Sequence, residues 1–250
     1  MVMGARTWRR RYVAIAGGLT MRGKTMARRS RGAGVPPVWT SLLAVIAHPD
    51  DASSGLGAIL DTFTVAGAQA EVLCLTHGQA WALDGAPGDL AALRGAELVS
   101  AVDVLGVTHI NVLDCPEGTL GQMCQTGLAT QVVAMADSCH PDGLLVFDTS
   151  ARADHLDHAA AMSAGLLAAE TLDLPVLGWT LTEAVAARLR REFGSRAAGR
   201  AQEVDLRVTL DRARQRLAGR LDAARAPAGK AARRPLDLLA QTQSLCWLRP

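Results

Sequence analysis

Residues 42–60, LLAVIAHPDDASSGLGAIL, contain an apolar run, a polar turn and the start of a helical pattern. The apolar run, residues 42–47, has the length and the Leu, Val and Ile content of a parallel strand that is buried on both faces. Pro49 lacks an amide hydrogen and disfavours helical geometry at the preceding residue, so we expect the strand to end at His48. The stretch therefore predicts a histidine and two aspartates at the carboxyl end of a central strand.

The two adjacent aspartates, Asp50 and Asp51, are expected to point in different directions. One carboxylate can then ligate a metal ion while its neighbour faces a water molecule bound to that ion. A second interpretation is structural, with Asp51 or Ser53 capping the following helix, the other aspartate in solvent and an incidental histidine. The pentapeptide by itself leaves both interpretations open.

A second polar cluster follows another short apolar strand. Residues 143–147, GLLVF, precede the sequence DHLDH at 154–158 and then an alanine-rich helix. Residues three apart share a helix face, so His155 and His158 are expected to point together. In a doubly wound sheet the carboxyl ends of the strands form the ligand crevice, which brings the two clusters face to face. Two histidines and one aspartate are a common ligand set for catalytic zinc, whereas a surface pair of histidines would have no such role.

Several motifs in order give the chain its resemblance to a known family. They are AHPDD at 47–51, THGQ at 76–79, the Arg94–Glu97 segment RGAE before LGV at 105–107, and HLDH at 155–158. This pattern resembles the PIG-L/LmbE-like metal-dependent N-deacetylases, over residues 42 to 250. The resemblance agrees with the α/β fold that the strand and helix patterns predict: a Rossmann-like, mostly parallel sheet with helices on both faces.

The resemblance also implies an activity and a role for each site residue. Members of the family remove acetyl groups from N-acetylglucosamine units in glycolipids, thiol precursors and antibiotics. By this resemblance His48, Asp51 and His158 are the metal ligands and Asp50 is the general base. The family role of His155 is to stabilise the oxyanion or protonate the amine. Zinc is the expected metal, and iron(II) or cobalt also suits this ligand set.

Four positions depart from the usual family pattern. Ala52 stands where the family has glutamate after the two aspartates, Gln79 where THGE is frequent, and Leu156 where HPDH is usual. Ala153 occupies a position where some members carry a tyrosine. None of the four is an implied ligand, so the departures bear on the surroundings of the metal and on oxyanion stabilisation rather than on metal binding.

Other polar residues are expected near the same edge of the sheet. His77 follows a predicted strand at 70–75, and Asp114 ends a predicted strand at 109–113. We interpret Asp114 as a contact for sugar hydroxyls, with a turn-forming aspartate before Pro116 as the alternative. Arg94, near the start of a predicted helix, is a candidate for binding sugar hydroxyls or phosphate, or else forms a surface ion pair. We expect Asp157 to orient a metal ligand or His155.

The remaining elements are predicted from apolar periodicity and turn residues. Further strands are expected at 174–181 and 204–208, the latter as the final strand of the sheet. Helices are expected at 55–68, at 90–105, in the second half of 120–140 and at 211–227.

Charge is unevenly distributed along the chain. The formal net charge is +2, but nine of the 26 basic residues and no acidic residue fall within the first forty positions. Residues 1–37 are therefore expected to form a basic, disordered extension, and residues 38–250 a single domain. The sequence disfavours an export signal in this extension because a small-residue cleavage site is missing. It also disfavours nucleic-acid binding, because an aromatic-interleaved or helical recognition pattern is missing. No apolar stretch is long enough for a membrane span.

Cysteine usage and missing motifs narrow the function further. The five cysteines contain no Cys-x-x-Cys pair, which is typical of reduced thiols and predicts a cytoplasmic location. Neither a GxGxxG nor a P-loop motif is present. The sequence thus predicts a zinc-dependent hydrolase of an N-acetylated amino sugar, a small-molecule substrate. The alternatives are an amidase for another amide, such as a cysteinyl conjugate, and a weakened member that binds an amino sugar without turnover.

Overall fold

The described residues form a mixed sheet of seven strands. The computed structural model describes residues 36–78, 103–149, 156–194, 199, 206–209 and 242–250. Its seven strands are β1 Ser41–Ile46, β2 Gln69–Thr76, β3 His109–Cys115, β4 Leu144–Phe147, β5 Val176–Thr180, β6 Leu206–Thr209 and β7 Thr242–Arg249. Their spatial order is β3-β2-β1-β4-β5-β7-β6.

The first five strands are parallel, as the sequence predicted. β1 pairs with β2 on one side and with β4 on the other, and β3 and β5 extend the sheet outward. β7 is antiparallel to both of its neighbours, β5 and β6. The strand order reverses between β1 and β4, and ligand crevices of open α/β sheets form at such a reversal, outside the carboxyl ends of the strands.

Both faces of β1 are buried, which explains its continuous apolar sequence. Leu42, Ala44 and Ile46 pack into one core cluster, whereas Leu43 and Val45 pack into a second cluster on the opposite face. Alternate side chains of a strand point to opposite faces, so a strand between two helical layers requires apolar residues at every position. The predicted α/β fold class is confirmed.

Helices cover the two faces. The described helices are α1 Asp51–Ser54, α2 Gly57–Val65, α3 Gln125–Cys139, α4 Leu156–Leu172 and α5 Glu183–Phe193, with a 3₁₀ turn at Leu120–Gln122. Apolar residues of α2 and α5 belong to the cluster that contains Ile46. Those of α3 and α4 belong to the cluster that contains Val45. Burial of these helix faces against the sheet fixes the loops at its carboxyl edge.

The structure corrects two of the predicted elements and adds a helix that was not predicted. The helix expected at 55–68 is present as the shorter α2, Gly57–Val65, and a separate four-residue helix, α1, precedes it at Asp51–Ser54. The strand expected at 204–208 is present as β6, but it is not the final strand, because β7 follows it and lies between it and β5. α5 was not predicted, although Val185, Ala186 and Leu189 have the spacing of one helix face and pack into the core.

Other predictions fall outside the described residues. These are the basic extension apart from its last two positions, most of the helix at 90–105 and the helix at 211–227. All described residues belong to the compact unit Ala33–Pro250. None of the helices within the described ranges combines the length and apolar content that crossing a membrane requires.

Candidate active site

His48 and Asp51 are held together by the turn between β1 and α1. The backbone amide of His48 donates to Oδ2 of Asp51 at 3.0 Å. In the reverse direction, the amide of Asp51 donates to the carbonyl of His48 at 3.2 Å. This pair of hydrogen bonds folds the Asp51 side chain back over the end of β1. The Asp51 carboxylate therefore faces the sheet edge rather than solvent.

His158 reaches the same point from the first turn of α4. Its Nε2 atom lies 2.9 Å from Oδ1 and 3.0 Å from Oδ2 of Asp51. The imidazole rings of His48 and His158 are 5.2 Å apart between centroids and inclined at 68°. The structure thus brings together the three residues that the resemblance implied as metal ligands, and all three are buried.

The donor set fits a small divalent ion. One ligand atom from each of His48, Asp51 and His158 can be chosen so that all lie within 4.8 Å of one another. A tetrahedral ion with metal–ligand bonds of about 2.0–2.1 Å requires ligand atoms separated by about 3.3 Å, close to the distances around Asp51. The carboxylates of Asp157 and Glu117 also adjoin His48. A buried cation would offset this concentration of negative charge.

The ionisation state of the Asp51 carboxyl group favours metal binding. Burial of its carboxyl acts to raise the pKa, but the charge and hydrogen bond of His158, and then those of His48, lower it below its usual value. The side chain is therefore an anion at neutral pH, which is the form that ligates a metal.

Asp157 fixes the other face of His48. Its Oδ2 atom lies 3.1 Å from Nε2 of His48 and also accepts from the amide of Gly118 at 2.6 Å. Its Oδ1 atom accepts from the amide of Leu120 at 3.0 Å. An ionised carboxylate only accepts hydrogen bonds, so Nε2 of His48 is the protonated nitrogen and Nδ1 is left to face Asp51. The orienting role expected for Asp157 stays a prediction, and its contact with His48 is the observation that supports it.

Glu117 is a site residue that sequence reasoning missed. Its Oε1 atom lies 3.9 Å from Nε2 of His48, and its side chain is only 9% exposed. Glu117 lies in a turn shortly after β3, and a turn residue in the sequence gives no indication of where its carboxylate points. Its position directly after a strand of the parallel sheet is the signal that could have identified it.

Asp50 differs sharply from its neighbour. It is exposed, whereas Asp51 is buried. Asp50 occupies the N-cap position of α1, yet its side chain makes no capping hydrogen bond to that helix within the described residues. The predicted divergence of the two carboxylates is therefore present. The alternative named Asp51 or Ser53 as the helix cap, but Asp51 lies within α1 and its carboxylate is directed at His158.

The outer part of the edge holds a second polar pair. Nε2 of His77 lies 2.7 Å from Oδ1 of Asp114, whose side chain is 97% exposed. Ala52, in place of the usual glutamate, is fully buried in the apolar core. Four further residues of interest lie outside the described ranges: Arg94, His155, Gln79 and Ala153.

Two curated proteins of the same name are similar in sequence. Both are called 1D-myo-inositol 2-acetamido-2-deoxy-alpha-D-glucopyranoside deacetylase. The protein from Kineococcus radiotolerans is 38% identical over 86 residues, covering 31% of this chain and 23% of that protein. The protein from Mycolicibacterium vanbaalenii is 29% identical over 176 residues, covering 58% of this chain and 60% of that protein. The chain thus spans less than two thirds of either relative.

Structural comparison and a family model extend this result. The fold is similar to that of N,N'-diacetylchitobiose deacetylase from Pyrococcus horikoshii, with a TM-score of 0.62, 16% identity and 84% of each chain covered. The family model PIG-L, described as GlcNAc-PI de-N-acetylase, matches residues 43–169, just over half of the chain. These residues include all three members of the candidate metal cluster. The resemblance inferred from the sequence is confirmed, and the chain belongs to the PIG-L family.

Proposed function

We propose that this protein is a metal-dependent hydrolase that removes the acetyl group from an N-acetylglucosamine-type conjugate. The observation that carries the proposal is the convergence of His48, Asp51 and His158 at the carboxyl edge of the sheet. Membership of the PIG-L family and two related deacetylases of N-acetylated sugars support the choice of reaction.

We further propose zinc as the metal, held by Nδ1 of His48, the carboxylate of Asp51 and Nε2 of His158. Three protein ligands leave a fourth position open, as in catalytic zinc sites. When bound, such an ion lowers the pKa of water to about 7 and polarises a carbonyl group. The same donors suit iron(II) or cobalt.

The residues around the cluster divide the proton transfers among them. Asp50, the exposed neighbour of Asp51 in the sequence, accepts a proton as water adds to the amide carbonyl. The carbon–nitrogen bond then breaks, acetate forms, and the amine leaves after taking up a proton. The resemblance assigns His155 to stabilising the oxyanion or protonating this amine. Asp157 keeps Nε2 of His48 protonated and holds the ring in place.

Substrate contacts are proposed farther along the same edge. The exposed carboxylate of Asp114 is accessible to sugar hydroxyls, and its bond to His77 fixes its direction. Arg94 is the second proposed contact. The protein is further proposed to be cytoplasmic, because its five cysteines, all within the described residues, are free thiols typical of a reducing compartment.

The test is an assay of the full chain loaded with one equivalent of zinc, iron(II) or cobalt. The panel contains N-acetylglucosamine linked to inositol, to an aromatic alcohol and to a second sugar, together with an amide of cysteine. We expect acetate and free amine in equal amounts from at least one glycoside. Hydrolysis of the cysteine amide alone would establish the amidase instead, and saturable binding of the sugars without acetate release would establish a binding protein.

A further inference from the structure

One aromatic ring connects the candidate metal cluster to the rest of the core. Phe147, the last residue of β4, stacks on the imidazole of His158 with ring centroids 4.8 Å apart and an interplanar angle of 12°. Phe147 is 4% exposed and His158 is 1% exposed. A buried, nearly parallel stack restricts rotation of the imidazole ring about the Cβ–Cγ bond of His158.

Phe147 is itself held from two further directions. Trp179, its register partner on β5, meets it edge-on with centroids 5.1 Å apart. The indole Nε1–H of Trp179 donates to Oε1 of Gln243 on β7. On the opposite side, a Cβ atom at Gly55 would lie 2.4 Å from Cζ of Phe147, so the ring occupies space that only glycine leaves open.

A fixed imidazole matters for metal binding. A histidine ligand must direct one nitrogen at the ion. If the side chain is already fixed before the ion binds, no further conformational entropy is lost on binding. Nε2 of His158 already points at the carboxylate of Asp51. The stacked ring on its face therefore adds to the preorganisation of this ligand.

We propose that Phe147 is a positioning residue for His158, and that Trp179 and Gln243 hold Phe147 in place. The inference rests on the proposed metal site. Trp179 and Gln243 lie outside residues 43–169, the part that matches the family model. The chain of contacts would thus tie metal affinity to β7, a strand that contributes no member of the metal cluster among the described residues.

Phe63 provides a matched control. It is 2% exposed, belongs to the same core cluster as Phe147, and stacks on an aromatic ring, that of Trp39, with centroids 5.4 Å apart and an angle of 17°. Phe63 lies on α2 and its partner Trp39 precedes β1, at the opposite end of the strand from His48. Leucine at either position removes one buried, stacked ring from the same core.

The test compares Phe147→Leu with Phe63→Leu in the full chain. Zinc and cobalt affinities are measured by competition with a chromophoric chelator, and the cobalt absorption spectrum and the thermal melt are recorded. We expect both variants to have a lower melting temperature than the parent chain. Only Phe147→Leu should bind metal about 10-fold more weakly, which is the lower end of the effect of losing a group that orients a metal ligand. Only this variant should also show an altered cobalt absorption spectrum.

Two variants that leave Phe147 unchanged test the inference if Phe147→Leu does not fold. Gly55→Ala pushes on the ring from one side, and Gln243→Met removes the acceptor of the Trp179 indole; each should weaken metal binding by several-fold. Two results overturn the inference if the parent binds metal. One is an equal loss of metal affinity in Phe147→Leu and Phe63→Leu. The other is unchanged metal affinity in Phe147→Leu, Gly55→Ala and Gln243→Met. A parent chain that binds no metal overturns the proposed function together with the inference.

Discussion

The Nε2 atom of His48 lies 3.1 Å from the Oδ2 atom of Asp157, and both side chains are buried. Since the same carboxylate accepts two backbone N–H groups, it is surrounded by donors. Asn at this position would turn its own NH₂ group toward at least one of them. We therefore expect Asp157→Asn to weaken metal affinity by roughly 10- to 100-fold, the effect typical of removing the partner of a histidine ligand.

Chelator competition measures this effect, and Asp137→Asn on the exposed face of α3 is the control. An Asp157→Asn protein that retains the parent's metal affinity would show that the carboxylate does not orient His48.

The candidate cluster is expected to hold one divalent ion per chain. Asp51→Ala and His158→Ala each delete one of three donors, so zinc loading followed by dialysis should leave both variants with far less than one equivalent. His77→Ala removes a histidine from the same sheet edge but outside the cluster, and it should keep its zinc. Elemental analysis gives the stoichiometry. Zinc loss from His77→Ala as large as that from His158→Ala contradicts the ligand assignment.

Asp50→Asn separates proton transfer from metal binding. The change keeps the shape of the side chain and all three proposed ligands, so the metal should stay bound. Hydrolysis of an N-acetylated sugar should fall by about 10²- to 10⁴-fold, because asparagine cannot accept a proton from water at neutral pH. Thermal stability should stay close to that of the parent, because asparagine is as good a helix cap as aspartate. Near-normal turnover with the metal retained means that another group takes the proton.

Cys124 is expected to be the most reactive of the five thiols. The hydrogen bond from Thr126 and the backbone amide of Gly127 lower the pKa of this exposed thiol, whereas burial raises the pKa of Cys139 to about 12. A lower pKa gives a larger thiolate fraction near neutral pH, and the advantage over an ordinary thiol shrinks as pH rises above about 8.5.

Peptide mapping after brief iodoacetamide treatment at pH 7 and pH 9 checks this prediction. Label should concentrate at Cys124 at pH 7, and Cys124→Ser should remove most of it. The prediction is wrong if Cys139 or Cys74 is labelled as fast at pH 7.

The central elements could be predicted because their sequences are locally decisive. Continuous burial makes residues 42–46 of β1 apolar, and Pro49 marks the end of the strand, so the placement of His48 and Asp51 follows from a few residues. The motif HLDH at the start of α4 is equally local. Parallel strands then bring the two motifs to one edge, a consequence of topology that requires no detailed packing.

The missed features depend on contacts between distant parts of the chain. β7 has a mixed sequence, TQSLCWLR, and becomes a strand because β5 and β6 offer it two partners. Glu117 is a turn residue by sequence, and only the register of β3 against β2 brings its carboxylate to His48. The stacking of Phe147 on His158 likewise depends on how β4 and α4 pack, which no local pattern reveals.

The antiparallel insertion of β7 has a consequence for biosynthesis. β5 is complete at Thr180, but its partner begins only at Thr242, so the ribosome must add some sixty residues before that side of β5 is paired. During this interval a growing chain already contains every residue of the metal cluster and still presents an open, apolar strand edge. Such edges promote association between incomplete chains. Chains that stop before residue 242 are therefore expected to associate with one another more readily than the full chain does.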